Sequence, residues 1–115
     1  MGFIFEDLDV YQKALSFVEQ VITLLKDIKG EPVIRDQLKR AALSVQLNIA
    51  EGGGRFSKPE KRSFYVIARG SIYECVAVAQ LLRRMKIIDE SLYLRLYGEC
   101  ECIAKMLTAL IKTLV

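Results

Sequence analysis

Hydrophobic side chains recur every three or four residues along almost the whole chain, in four segments separated by only a few residues, and that spacing decides the fold class. Tyr11, Leu15, Val18, Ile22 and Leu25 form the first stripe, widened by Ala14, Val21 and Ile28. Leu38, Ala42, Val45 and Ile49 form the second, where Ala41 and Ser44 keep part of the face small. The third is the longest, with Phe64, Ala68, Ser71, Cys75, Val78, Leu82 and Met85 at sustained heptad spacing. Tyr93, Leu96, Cys100, Ile103, Leu107, Leu110 and Leu114 form the fourth. These stripes predict helices over about 8–28, 32–51, 57–86 and 90–113, and no strand alternation or longer repeat competes with them. Short connections favour antiparallel neighbours, so the expected fold is all-α: an antiparallel up-down-up-down four-helix bundle in a single domain, residues 1–115.

Local signals mark the helix ends. Asp7 or Asp9 offers an N-cap for the first helix, and Phe3 to Phe5 an apolar lead packed on the bundle. Lys29-Gly30-Glu31-Pro32 ends that helix and lets Pro32 open the next. Gly52-Gly53-Gly54 lacks Cβ at three successive positions and predicts a helix end with a left-handed cap. Ser57-Lys58-Pro59-Glu60 has the form of a capping box, with Pro59 in the first turn where no N–H is needed, and Asp89 is the N-cap expected for the last helix. Gly70, in mid-helix, predicts close approach of another backbone or subunit, since it is about 1 kcal/mol less favourable than Ala there.

Several function classes are disfavoured. No uninterrupted apolar run approaches the ~20 residues needed to span a bilayer. The start, Met1-Gly2-Phe3-Ile4-Phe5-Glu6-Asp7, lacks the basic lead and long apolar segment of a secretory signal, so a cytoplasmic protein without membrane association is expected. There is no histidine, the commonest general base and metal ligand. Cys100 and Cys102 lie about 200° apart around a helix and cannot share a metal, so they read with Cys75 as reduced thiols. No metal or cofactor is expected. An enzyme built on Glu51 with Arg69, or on Glu74 with Tyr73, ranks last, because carboxylates at helix crossings usually balance arginines.

The net charge of +3 is too small to identify a nucleic-acid binder, but its distribution is uneven. Between Arg35 and Arg69, the bases Arg35, Lys39, Arg40, Arg55, Lys58, Lys61, Arg62 and Arg69 face only Asp36, Glu51 and Glu60. Lys58, Arg62, Tyr65, Arg69 and Tyr73 recur at spacings of three and four, a basic and aromatic stripe suited to an anionic polymer with stackable bases. The plainer reading is that Arg and Lys solubilise the helix while Tyr lines the core edge. Asn48, beside Val45 and Ile49, should be partly buried, and it and Glu51, one turn further along the same side, should face the third helix and bond Arg69, Ser71 or a neighbouring subunit, so that removing Arg69 would strand the Glu51 charge if that carboxylate is buried. Val10, Phe17, Leu24, Leu43, Leu47, Val66 and Leu94 fall outside the stripes and suggest a subunit interface.

Asn48-Ile49-Ala50-Glu51-Gly52, followed by Ala68-Arg69-Gly70-Ser71, resembles the four-helix-bundle family of the 23S ribosomal RNA intervening-sequence protein. Phe5-Glu6-Asp7-Leu8, Gln37-Leu38-Lys39-Arg40-Ala41-Ala42 and Ile88-Asp89 extend the resemblance over nearly the whole chain. Gly53-Gly54-Arg55-Phe56 departs from the family's pattern of one glycine followed by an aromatic, and no proline stands near Leu47. The resemblance implies a ring-shaped homopentamer and a distant kinship with the accessory variability protein of diversity-generating retroelements, which binds nucleic acid and reverse transcriptase. It implies no reaction. Two functions follow as expectations. One is binding of structured RNA or DNA through Arg40, Arg55, Lys58, Lys61, Arg62 and Arg69, with Tyr65 stacking on a base, around the corner between the second and third helices, with Asn48, Glu51, Gly52, Gly70 and Ser71 as the structural motif. The other is a structural or adaptor protein whose oligomeric surface docks a protein such as a polymerase.

Overall fold

The fold was obtained as a computed structural model, which describes residues 2–115; Met1, the first residue of the N-terminal stretch read above, lies outside them. Among the described residues the chain forms a 3₁₀ turn, Ile4–Asp7, and four α-helices: α1 (Asp9–Leu25), α2 (Pro32–Gly53), α3 (Lys58–Arg84) and α4 (Glu90–Lys112). Paired residues give the directions. Gln37 of α2 meets Glu74 of α3, Ser44 meets Ser71, and Gly52 meets Tyr65, so residue numbers fall along one helix as they rise along the other. Arg69–Thr108, Gln80–Tyr93 and Arg83–Glu90 show the same reversal between α3 and α4. The α2–α3 side is the most extensive and the α1–α4 side the thinnest.

Most end signals act as the sequence predicts. Asp89 accepts the Leu92 N–H at 2.8 Å and Ser57 Oγ accepts the Glu60 N–H, but the Glu60 carboxylate takes the Ser57 hydroxyl instead of the Ser57 N–H, so only the N-cap half of the expected capping box forms. Pro32 opens α2 behind Gly30 (φ 96°) and Glu31 (φ 48°). The first helix differs: its N-cap is Leu8, without a side-chain bond, while Asp9 is already helical. At the far end of α3 the chain leaves through Lys86 in the left-handed region (φ 63°), with Ile87 N–H donating to Leu82 O and Lys86 N–H to Arg83 O. That double bond pattern usually falls to glycine at the left-handed position.

The glycine run behaves otherwise. Gly52 and Gly53 stay helical, and Gly54 ends α2 at φ −88°, so no left-handed cap forms there. A Cβ on Gly52 would lie 2.7 Å from the Tyr65 ring, and one on Gly53 2.7 Å from Phe5 Cβ. The glycines therefore let α3 and the N-terminal lead press onto the end of α2. Phe5 is half-buried there and meets the Tyr11 ring edge-on at 4.7 Å. For Gly70 the reverse holds, since a Cβ would meet nothing within 4 Å. No close approach within the chain explains that residue.

The core confirms the faces of α2 and α4 and turns those of α1 and α3 slightly. Val10 and Phe17, expected at a subunit surface, are buried, whereas Ile22 and Met85, expected inside, are exposed. On α3 the inward residues are Tyr65, Ala68, Ser71, Ile72, Cys75, Ala79 and Leu82. Leu43, Leu47, Val66 and Leu94 are exposed as expected, and Leu24 is half-buried. Val66, Gly70, Tyr73, Ala77 and Leu81 line the outward side of α3 at helical spacing, a face almost free of charge. This explains why α3, whatever its uninterrupted runs, contains an 18-residue window of mean hydropathy 1.2 that is long and apolar enough by composition to cross a membrane, though only 39% of it is buried. The three cysteines are free, Cys75 and Cys100 in the core and Cys102 half-buried. A hydrogen bond to Cys100, together with burial, pushes the Cys75 thiol well above its usual range.

Candidate nucleic-acid interface

The corner between α2 and α3 gathers four of the seven residues expected to hold nucleic acid. Arg55 stacks over the Phe64 ring at 4.6 Å and approaches Glu51 at 3.9 Å. Lys61 reaches back to donate to Gly53 O at 3.1 Å, placing its charge at the carbonyl end of α2, where a cation is favoured. Lys58 and Arg62 are exposed, and among the described residues neither has a carboxylate within ion-pair distance. Glu60 is occupied, accepting the Ser57 hydroxyl at 2.9 Å. The first turn of α3 has few donors to spare: Pro59 has no N–H and Ser57 takes that of Glu60, which leaves Lys58. Anion attraction at the corner rests on side chains more than on the helix end.

Three expected contacts are not presented at the corner's surface. Arg40 is three turns back along α2, about 18 Å from Gly52 by helical rise, and is paired to Asp36 at 2.7 Å. Tyr65 is only 3% exposed, closed under Gly52, and burial raises its phenol above its ordinary pKa. Its ring cannot stack on a base. Arg69 turns toward α4, donating from Nε to Thr108 Oγ1 and from Nη2 to the Tyr73 hydroxyl, both at 2.9 Å.

The polar motif is also rearranged. Asn48 is half-buried and donates to Ser44 O at 2.8 Å and to Ser44 Oγ at 3.1 Å, while Ser44 Oγ lies 2.8 Å from Ser71 Oγ. Asn48 thus reaches Ser71 through Ser44. Glu51 is exposed and turned toward Arg55, so the expected Glu51–Arg69 bond is not made and removing Arg69 strands no buried carboxylate. The other pair considered for acid–base work is likewise divided, since Glu74 accepts from Gln37 and the Tyr73 hydroxyl from Arg69. No group of three His, Cys, Asp or Glu side chains able to hold a metal occurs among the described residues.

One residue was missed from the sequence. Phe56, between Arg55 and Ser57, is fully exposed at the corner, and with Phe3, Ile4, Arg55 and Lys61 it borders a depression of about 410 Å³. Its signal was an aromatic placed off every helical stripe and flanked by bases, a position that no core packing demands.

Comparison with known proteins agrees with this architecture. Among curated proteins, none matches the chain. The crystal structure of a protein of unknown function from the S23 ribosomal protein family, from Bacteroides thetaiotaomicron, superposes with a TM-score of 0.85. It is 26% identical and the alignment covers 90% of this chain and 95% of that one. The family model of the 23S rRNA-intervening sequence protein matches residues 6–109, from the 3₁₀ turn through most of α4 and across both halves of the corner. The chain therefore belongs to the 23S rRNA-intervening sequence protein family.

Proposed function

We propose that the protein is a non-enzymatic, cytoplasmic homo-oligomer, a pentamer, that binds structured RNA or DNA at the α2–α3 corner. The observation that carries the reading is the pairing there of unneutralised cations, Lys58 and Arg62, with a fully exposed aromatic ring, Phe56. Cations hold phosphates without regard to sequence, and an exposed ring offers a stacking platform to an unpaired base. Arg55 and Lys61, already positioned by Phe64 and Gly53, flank the pair. The family's name, taken from an RNA insertion, is consistent with such a ligand. A ring of protomers would repeat the patch, so individually weak contacts sum to a useful affinity. On the nearly uncharged outward face of α3, Val66, Gly70 and Leu81 are the positions that assembly would cover, while Tyr73 and Ala77 belong to the side toward α4.

A salt titration tests the reading. For the parent, affinity for a hairpin RNA falls steeply with ionic strength. A variant carrying Arg55→Ala, Lys58→Ala, Lys61→Ala and Arg62→Ala loses ~0.7 of log–log slope per single-strand phosphate contact removed, or ~0.9 per duplex contact. Phe56→Ala lowers affinity by about 1–3 kcal/mol while leaving the slope unchanged. Light scattering alongside should show several times the 13.1 kDa chain mass. A folded quadruple variant that keeps affinity and slope removes the corner from consideration. That result would favour the second reading, a structural or adaptor protein whose oligomeric surface docks a protein partner such as a polymerase.

A further inference from the structure

The α3–α4 side carries an open groove of about 710 Å³, within the size range of small-molecule sites. Its floor and walls are apolar, with Ile72, Val76 and Ala104 among them, but cations stand toward one end: Arg69, Lys105 and Lys112. Arg69 is the unusual one. Its guanidinium is held from two sides, by Thr108 and by the Tyr73 hydroxyl, and lies 4.8 Å over the Tyr73 ring. Both partners are neutral hydroxyls, and no carboxylate lies within ion-pair distance among the described residues. A half-buried arginine is thus fixed in orientation while its charge stays uncompensated and its other N–H groups remain unused. The groove's one carboxylate, Glu101, is one turn from Lys105 but two turns, about 10 Å by helical rise, from Thr108 along α4, so Arg69 and Lys112 stand away from it.

We propose that this groove binds a small amphipathic anion, a carboxylate with an apolar tail. Its head is taken by Arg69 with Lys112 and Lys105 on the rim, and its tail lies along Ile72, Val76 and Ala104 toward Tyr97. The charge arrangement selects this ligand class. A carboxylate matches the free edge of a guanidinium, and a tail removes water from apolar walls that a nucleic-acid backbone would leave wet. Thr108 is a positioning residue, since it holds Nε and so leaves the outer edge of the fork presented. The site is independent of the α2–α3 corner.

Calorimetric titration of the full-length chain with decanoate, kept below micelle formation, tests the proposal against decanol, the same tail without charge. Decanoate should bind at least about 10-fold more tightly than decanol, as expected for a hydrogen-bonded charge pair. Arg69→Gln should remove that advantage and leave decanol unaffected. Thr108→Val should weaken decanoate more than decanol. Ala77→Phe, which adds bulk at an exposed position of the wall, should weaken both. The corner variant described above should bind decanoate like the parent. Equal binding of decanoate and decanol, or full decanoate affinity in Arg69→Gln, would overturn the anion site. Absence of binding by a parent whose oligomer dissociates on Ala77→Phe would overturn it too, showing a second copy seated in the groove. Displacement of decanoate by the hairpin RNA would assign the groove to the nucleic-acid path instead.

Discussion

Phe17→Ala is expected to destabilise the protein by about 3–5 kcal/mol, the usual loss when a buried aromatic is truncated in a close-packed core. Phe17 is 0% exposed and stands in α1 between Ala14, Val18 and Val21, all buried. In a bundle this small the backbone of α1 has little freedom to collapse into the gap, so transfer and cavity terms add. Chemical denaturation at fixed protein concentration measures the effect, because any assembly would make stability depend on concentration. The result also decides between two placements of the residue. A subunit-surface Phe17, as its position off the periodic stripe suggests, would show a small loss of protomer stability and a large change in light scattering. A core Phe17 shows the opposite.

The second large effect separates two glycines whose roles the structure exchanges, close packing falling to Gly52 and not to Gly70. Gly52→Ala gains up to about 1 kcal/mol of helix propensity but pushes a methyl to 2.7 Å from the Tyr65 ring and 3.1 Å from Phe64 Cβ, for a net loss of about 1–2 kcal/mol. Gly52→Val, with two further methyl groups beyond that Cβ, should lose about 3 kcal/mol, the upper end of overpacking. Tyr65 cannot move aside easily, since it is buried beneath α2. Gly70→Ala should instead raise protomer stability by about 0.5–1 kcal/mol, as nothing lies within 4 Å of its Cβ position. If the outward face of α3 is the assembly surface, the same substitution weakens the oligomer in light scattering while stabilising the chain. Thermal melts of Gly52→Ala and Gly70→Ala that shift in the same direction would contradict the account.

Much of the candidate site was legible because charge clustering is a property of sequence neighbours. Arg55, Lys58, Lys61 and Arg62 lie within two turns of one another, and the corner holds them together whatever the packing does. Arg40 and Arg69 were misplaced for a different reason. Both belong to long helices, where direction depends on which partner is near: Asp36 turns Arg40 aside, and Thr108, thirty-nine residues away in the chain, draws Arg69 into the α3–α4 groove. Tyr65 and Phe56 exchange roles on the same principle. The tyrosine is taken inward by the bare surface of Gly52, and the phenylalanine, with no cavity to fill, stays outside.

By itself the sequence determined four helices, their connections, the caps at Ser57 and Asp89 and the family, because hydrophobic period, capping chemistry and turn residues act over a few neighbouring positions. Only the tertiary structure decided which of two adjacent apolar residues faces inward. Val10 against Tyr11, and Tyr65 against Phe64, both satisfy a helical period, and a rotation of one residue step exchanges them; the shape of the opposing helices selects one. It also reassigned the backbone devices. Gly52 and Gly53 serve close packing against Tyr65 and Phe5, and the left-handed helix end falls to Lys86, where burial of Ile88 against the core holds a non-glycine residue in a conformation its own preferences disfavour.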